Sequence, residues 1–370
     1  MKKMKILIVG MTGGVGGVET FICNLNRYID HDRFKVDFLV HQKLNLKYER
    51  DILSAKGSIY QICGIKENIK QYLLEIFKFY WTHRDYDIVH LNECGASYFI
   101  YAFPVIFLPK IKLIVHSHNG NSSNKLMHKF FATFQNQRSN EQWACSDVAA
   151  EWMFGKKRVK KYGCTIIHNG IDLRKYQFDE QIRLQVRIKL GINAFTVIGS
   201  VARFEAQKNH SKIIGIFEAY HNSNPKSVLI LVGDGSDRER IEKVVQERDL
   251  LDSVLFLGIR DDIPDLLMAF DIFLLPSLYE GLPFVTVEAQ AASLPMLVSN
   301  SVSTQIDLTP LIFREDLHSD VTKWQSRINE IVDSKIDRNS AVFQEYLRDA
   351  GYDINGVAEN VMKRYQNLVM

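Results

Sequence analysis

The feature that most constrains the fold is a strand–helix alternation that runs along the chain and then starts again. Apolar runs at residues 6–9, 36–40, 88–91 and 113–116, with shorter ones at 144–145 and 165–167, read as buried strands. Helical stretches such as residues 19–28 and 69–82 lie between them. Such alternation buries both faces of a parallel sheet under helices. The pattern restarts with runs at residues 195–201, 228–232, 254–257, 272–275 and 296–298. No self-similar period of about 20–50 residues is visible, which excludes a solenoid or propeller. The expected architecture is therefore α/β, with two doubly wound, Rossmann-like domains in series. The boundary is placed near residues 172–178, after the turn Asn169-Gly170. Residues 1–172 would form the first domain, 173–352 the second and 353–370 a terminal helix. Asp353 is suited to cap that helix, whose stripe is Ile354, Val357, Val361, Tyr365 and Leu368. It would either close the second domain or return to the first and tie the two together. Ligands of doubly wound sheets bind outside the carboxyl ends of the strands. Two such domains facing each other would enclose a central cleft, where the functional motifs are to be sought.

Composition narrows the class. A chain of 370 residues exceeds what one hydrophobic core holds, and 46% hydrophobic with 24% charged residues is an ordinary globular composition. The cysteines (Cys23, Cys63, Cys94, Cys145, Cys164) are odd in number and never spaced Cys-x-x-Cys. That fits a reducing cytoplasm and argues against a disulfide framework or zinc knuckle. A net charge of +3 gives no reason to expect nucleic acid as a partner. The total hides a split, with residues 1–172 at +9 and the remainder at −6. After Met1-Lys2-Lys3-Met4-Lys5 the apolar run covers only residues 6–9 before Gly10, short of the ~7–15 residues of a signal sequence. The apolar run at residues 98–108 is broken by Pro104 and falls short of the ~20 residues of a membrane span. A soluble chain with peripheral membrane contact at most is expected.

Three motifs carry chemistry. Gly10-Met-Thr-Gly13-Gly14-Val-Gly16-Gly17-Val18-Glu19 follows the first strand and opens a helix, a place where backbone approaches a phosphate. Gly10, Gly13 and Gly16 also fit a dinucleotide fingerprint, so an NAD(P)-dependent oxidoreductase is a rival reading. The second strand, however, ends Leu39-Val40-His41 with no acidic residue to hold a ribose. Arg203 and Lys208 follow the strand at residues 195–201, a guanidinium fork and a point charge that suit a diphosphate. Glu280-Gly281-Leu282-Pro283-Phe284-Val285-Thr286-Val287-Glu288 follows the strand at 272–275. Pro283 is expected as the first residue of a helix. The amides around it would face an anion, and the two carboxylates would reach opposite ends of one ligand.

These motifs, with Val232-Gly233-Asp234-Gly235-Ser236 and Asn169-Gly170-Ile171-Asp172, together resemble the retaining, GT-B-fold glycosyltransferases of family 4 over nearly the whole chain. His116-Ser117-His118-Asn119 and Ser303-Thr304-Gln305-Ile306-Asp307-Leu308-Thr309 are similar to bacterial exopolysaccharide and capsule transferases. The resemblance implies that Arg203 and Lys208 neutralise the diphosphate of a nucleotide sugar and that Glu288 holds the ribose. It implies that Glu280, with Gly281, Leu282, Pro283 and Phe284, holds the donor sugar and phosphate. Gly16 would let the first domain's loop close over the diphosphate, and His118 would stand beside the anomeric carbon. Ile259 and Arg260 would lie near the nucleobase, while Gly233 and Gly235 keep a neighbouring loop low. The terminal helix would return to the first domain. The family's chemistry implies a UDP-linked donor, a glycan acceptor on a lipid carrier, retention of configuration, and neither metal nor further cofactor. A nucleotide-sugar epimerase on the same fold and a non-catalytic binding subunit are the other readings. Replacing Glu288 or Lys208 by Ala is expected to abolish transfer with the fold intact. One departure is His168, where the family has proline before Asn-Gly.

Other features are read more plainly. Asp85-Tyr86-Asp87 matches a metal signature, but it begins a strand at its amino end and reads as a surface turn. His116 and His118 alternate along a strand end, and their rings are expected to point oppositely, against a shared metal. Asp261-Asp262 reads as a loop and helix cap. Residues 125–138 put Leu126, Met127, Phe130, Phe131 and Phe134 on one face, for core packing or a membrane. Lys156-Lys157-Arg158-Val159-Lys160-Lys161 is a solvated loop or, as favoured here, a contact to an anionic membrane through the basic first domain. The expected location is the cytoplasmic face of the cell membrane.

Overall fold

In the computed structural model, residues 3–14, 16–119, 125–280 and 282–370 are described. The chain forms two compact units, residues 1–171 with 351–370 and residues 172–350.

Unit 1 begins with β1 (Met4–Val9), α1 (Gly17–Tyr28), β2 (Phe34–Val40), α2 (Leu46–Ser54), β3 (Ile59–Gln61), α3 (Ile69–Thr82) and β4 (Ile88–Glu93). Two 3-10 turns, Ala96–Tyr101 and Phe103–Phe107, lead to β5 (Lys112–Ser117), α4 (Lys125–Arg138), β6 (Glu141–Ala144), α5 (Asp147–Phe154), α6 (Lys156–Tyr162) and β7 (Thr165–Ile166). Among the described residues the strands form one seven-stranded parallel sheet in the order β3-β2-β1-β4-β5-β6-β7. The reversal of order beside β1 and β4 is the switch point at which such sheets bind ligands. β1, β4 and β5 are central and apolar because helices cover both their faces. Leu7, Val89, Leu91, Leu113 and Val115 are fully buried in the core beneath α3 and α5.

Unit 2 runs α7 (Glu180–Leu190), β8 (Thr196–Val201), α8 (His210–Ser223), β9 (Ser227–Val232), α9 (Arg238–Glu247), β10 (Val254–Gly258), α10 (Ile263–Ala269), β11 (Ile272–Leu275), α11 (Phe284–Ala291), β12 (Met296–Ser299), β13 (Ile312–Glu315), α12 (Val321–Asp333) and α13 (Val342–Asp349). Its six strands, again all parallel, follow the order β10-β9-β8-β11-β12-β13. The core gathers Ile198, Leu229, Ile272 and Leu297 from the sheet with Phe217 and Trp324 from the helices. β3 and β13 are strands that the apolar runs did not show.

The chain ends in α14 (Ile354–Val369), capped by Asp353, whose carboxylate accepts from the Asn355 amide at 3.2 Å. This helix packs on α1 within unit 1. Ile354, Val357, Val361 and Tyr365 are buried. The Ile354 amide donates to the Ile171 carbonyl at 3.0 Å, and the Ile171 amide to that of Tyr352 at 2.9 Å. No helix among the described residues is long and apolar enough to cross a membrane.

Two readings are corrected here. Residues 156–162 are a helix, not a loop, and none of its side chains is buried. α4 is inverted: His128 and Gln135 are buried, Phe131 is half-buried, and Met127, Phe130 and Phe134 are exposed. The Leu126 side chain lies outside the described residues.

Candidate functional site

In unit 2 the site is built from two loops at the carboxyl ends of β8 and β11. The Asn209 backbone adopts the left-handed conformation (φ 55°), which asparagine tolerates better than most residues. That turn carries Lys208 toward the β11 loop. The Asn209 side-chain Nδ2 donates to the Pro276 carbonyl at 3.1 Å, and the Leu278 backbone amide to the Gln207 carbonyl at 2.9 Å. Gln207 Nε2 then donates to Tyr279 O at 2.9 Å and to Glu280 Oε2 at 3.1 Å. The Lys208 ammonium pairs with the other Glu280 oxygen, the two side chains being only 13% and 7% exposed. Lys208 and Glu280 are thus brought together. The Arg203 guanidinium turns instead to Glu205, at 2.6 Å, and its side chain is 69% exposed.

The Arg203 loop rests on the glycines after β9. Gly233 has φ +133°, and a Cβ there would lie 2.1 Å from the Ala202 carbonyl oxygen. At Gly235 it would lie 2.4 Å from that of Phe204. The Phe204 amide donates to Asp234 O at 3.0 Å, and the Asp237 amide to Phe204 O at 2.9 Å. These glycines set the height of the segment bearing Arg203, because any side chain would lift it.

Pro283 is the N-cap of α11 rather than its first residue, with an extended ψ of 132°. The helix begins at Phe284; the Thr286 amide donates back to Pro283 O at 3.0 Å, while the amides of Phe284 and Val285 have no intrahelical acceptor by position. Leu282, Pro283 and Phe284 are half-buried, while Gly281 lies outside the described residues. The Ser303 amide donates to Glu280 O at 3.1 Å, so the Ser303-Thr304 segment lies beside the loop. Glu288 accepts from the Tyr176 hydroxyl at 2.6 Å. Burial raises the Glu288 pKa above the usual carboxylate value, and that hydrogen bond opposes the shift. Ile259 is exposed. Arg260 pairs with Asp262 (Nε to Oδ1 2.8 Å), so Asp262 spends its carboxylate there and makes no side-chain cap to α10.

Unit 1 gathers a second set at the ends of β1, β4 and β5. Gly10 ends β1 with φ +109°, and a Cβ there would lie 1.8 Å from the Asn92 carbonyl oxygen. Gly16 is the extended N-cap of α1. The glycine-rich loop is tied down by Glu19, which accepts from Thr12 N at 3.1 Å and Thr12 Oγ1 at 2.7 Å. His41, after β2, stacks on Tyr101 at 4.2 Å. His118 Nε2 lies 2.8 Å from Asn92 Oδ1, and Nδ1 3.2 Å from Asn169 Oδ1. The Asn92 side-chain nitrogen donates to His90 O at 3.3 Å, which turns its oxygen toward His118 Nε2. Burial pushes the His118 pKa down to about 4, leaving a neutral ring.

The His116 and His118 rings do not diverge: their centroids are 4.1 Å apart. Residues i and i+2 of a strand share a face, and the expectation of opposite faces used the wrong neighbour. His116 Nδ1 meets His90 Nε2 at 3.2 Å, and His90 Nδ1 meets the Tyr365 hydroxyl at 2.7 Å. Among the described residues no group of three or more His, Cys, Asp and Glu gathers in metal-ligand fashion. Asp85 pairs with Lys5, and Asp87 accepts from the Lys5 amide at 2.8 Å. His168 stacks on Tyr352 at 4.5 Å, where a proline would offer no ring of that kind.

Residues 15–175 match Glycosyltransferase Family 4, and residues 184–308 match Glycosyl transferases group 1. The chain belongs to the GT-B glycosyltransferases of family 4. The glycosyltransferase is 28% identical over 361 residues to EpsF of Bacillus subtilis (strain 168), covering 95% of this chain and 93% of that one. It is 26% identical over 317 residues to the UDP-Gal:alpha-D-GlcNAc-diphosphoundecaprenol alpha-1,3-galactosyltransferase of Escherichia coli, covering 80% of each. In fold it is similar to HepE of Anabaena, solved in complex with UDP and glucose. The TM-score is 0.79 at 19% identity over 98% of this chain and 99% of that one. Sequence reasoning about this glycosyltransferase missed Gln207, Tyr176 and Glu19. Glu19 and Gln207 stood inside motifs already singled out, but neither was given a role.

Proposed function

We propose that this glycosyltransferase moves a sugar, with retention of configuration, from a UDP-linked donor to a lipid-linked glycan in bacterial exopolysaccharide assembly. The observation that carries the reading is the locked loop pair of unit 2. It fixes a cation, Lys208, on the carboxylate of Glu280, in the loop that leads into the first turn of α11. Breaking a glycosyl–phosphate bond develops negative charge on the leaving diphosphate. Fixed cations and helix amides stabilise that charge more in the transition state than before it. Each such group is worth ~3–4 kcal/mol by analogy with a single oxyanion-hole donor. Once the diphosphate competes for Lys208, Glu280 is released to accept from sugar hydroxyls. Glu288, oriented by Tyr176, accepts from the ribose, and Arg203 turns from Glu205 to phosphate. Ile259 and Arg260 flank the base. From unit 1 come His118, neutral at pH 7, for the reacting sugar, and the Gly16 loop for the diphosphate. No metal or further cofactor takes part in this scheme.

A UDP-linked donor and lipid-diphosphate acceptor are supported by the galactosyltransferase relative, whose name specifies both, and by the UDP-bound HepE structure. A lipid carrier places the protein at the inner face of the cell membrane. A thermal-shift screen against UDP-, GDP- and ADP-sugars tests the donor: stabilisation by UDP-sugars alone is expected. Transfer is then followed by NMR on polyprenyl-diphosphate-linked sugars, in EDTA. An inverted anomeric centre, or turnover that EDTA abolishes, would overturn the retaining, metal-free scheme.

A further inference from the structure

α3 is apolar on its inner and its outer side. Tyr72, Ile76, Phe79 and Tyr80 face the core. Ile69, Leu73, Phe77 and Trp81, spaced four apart, with Leu74 beside them, lie exposed, Leu74 at 73% and Trp81 at 61%. A helix apolar all round is ordinarily buried on every side. The outer stripe continues past the helix: Phe77 and the exposed Phe107 have ring centroids 6.3 Å apart. α3 packs on the Phe103–Phe107 turn, that turn on Ala96–Tyr101, and that one on α4. α4 closes the layer with its aromatic side outward, Phe130 being 62% exposed. Three of the four elements of this layer, α3, the Phe103–Phe107 turn and α4, thus turn large apolar side chains to the outside.

The charges of this layer have one sign. Residues 69–138 hold eight Lys and Arg and four Asp and Glu. All four acids are engaged or enclosed by the fold: Glu75 accepts from the Cys63 amide and Gln71, Asp85 pairs with Lys5, Asp87 accepts from the Lys5 amide, and Glu93 is buried. Lys70 and Lys78 flank the outer stripe of α3, and the Arg84 guanidinium lies 3.7 Å over the Trp81 ring. Apolar side chains edged by Trp, Lys and Arg are the composition of a helix lying in a bilayer interface. A symmetric pairing with a second copy would set this basic face against itself.

We propose that α3, with Phe107 and the outer side of α4, is the surface by which the protein lies on an anionic phospholipid bilayer. The purpose of this contact, though not its evidence, rests on the lipid-linked acceptor reading. The α6 cluster is basic but presents no such apolar stripe, and it is secondary.

The test is flotation of the full chain with phosphatidylglycerol/phosphatidylethanolamine vesicles, against phosphatidylcholine vesicles. Wild type should float with the anionic vesicles. Leu74→Ser/Phe77→Ser/Trp81→Ser should lose at least about 100-fold in partitioning, since each large apolar side chain withdrawn costs roughly tenfold or more. Its UDP thermal shift should be unchanged, which shows the fold and donor site intact. The variant with Lys156, Lys157, Arg158, Lys160 and Lys161 all replaced by Ala should keep most of its binding. Three results overturn the proposal: no flotation of wild type, undiminished flotation of the triple variant, or a dimer abolished by the triple variant without vesicle binding. Failure of the donor reading shows separately, as absence of any nucleotide-sugar shift in a protein that still floats.

Discussion

Replacing Lys208 by Ala does two things that can be separated. It removes the cation proposed for the leaving diphosphate, and it strips the partner from a carboxylate that is only 7% exposed. Breaking a buried ion pair from one side costs about 3–5 kcal/mol, because a charge is left without compensation. Gln207 Nε2 still donates to Glu280 Oε2 at 3.1 Å, which puts the cost at the lower end of that range. For a unit the size of residues 172–350, roughly 2–4 °C of melting temperature is lost per kcal/mol. Lys208→Ala should therefore melt about 6–12 °C below wild type. The sequence alone led us to expect lost transfer with the fold undisturbed; the ion pair adds a stability cost. Lys208→Met/Glu280→Gln, which leaves no charge unpaired, should regain most of that loss. It should remain slower in transfer by about 100-fold or more, as for a lost oxyanion donor. The measurements are differential scanning fluorimetry without ligand and initial rates with saturating donor. A single variant melting within a degree of wild type would refute the coupling. A double variant turning over at the wild-type rate would refute the role of Lys208.

Three further outcomes follow from the geometry. Tyr176→Phe deletes the hydrogen bond that opposes the raised Glu288 pKa. That pKa should rise further, so UDP affinity, which needs the carboxylate, should fall off at higher pH than in wild type; equal pH profiles by titration calorimetry would argue against it. Gly233→Ala places a methyl 2.1 Å from the Ala202 carbonyl at φ +133°. It should cost about 1–3 kcal/mol and raise KM for the donor, and a variant with wild-type melting would refute the stacking of these loops. Unit 1 should be acid-labile: burial lowers His90 to about 3 and His118 to about 4, from 6.5. Depressed histidine pKa values stabilise the fold above the unfolded value, and that stability is lost as pH falls from about 6.5 toward 4 and 3; a flat melting temperature between pH 7 and 4 would count against neutral rings.

What the sequence made legible follows physical lines. β1, β4, β5, β8, β9 and β11 are covered on both faces, so burial forces continuous apolar runs. β3 and β13 stand at sheet edges, short and half-exposed, and carry Gln61, Arg314 and Glu315. With one side open to water, nothing compels an apolar run. The Glu280–Glu288 segment was legible because glycine, proline and two carboxylates bracket one turn. Gln207 and Tyr176 were not, because their roles exist only across the fold: Tyr176 is 112 positions from the carboxylate it orients. Arg203 was noticed for its charge, but its direction is set by Glu205, two residues on, which the spacing treated as filler.

α4 shows a different limit. Periodicity fixes the axis along which a helix is two-sided, but not which side faces in. That choice depends on what the neighbouring layer offers. Here it offers polar partners: the Ala96 amide donates to His128 Nδ1 at 3.2 Å, His128 Nε2 meets the Trp152 carbonyl at 3.1 Å, and the His128 ring stacks on Trp152 at 4.2 Å. A histidine with both nitrogens satisfied and its faces packed can be buried without the usual cost of a polar group. With His128 and Gln135 inside, helical geometry turns Met127, Phe130 and Phe134 outward, four or so positions apart on the opposite side. The stripe visible in the sequence is therefore real, and its exposure is the price of a polar inner face. The same reasoning separates α3 from α4. α3 keeps an apolar inner face and still carries an outer one: Arg84 covers one side of the Trp81 ring, but a polar inner face does not account for the outward Leu74, Phe77 and Trp81, which the proposed bilayer contact would.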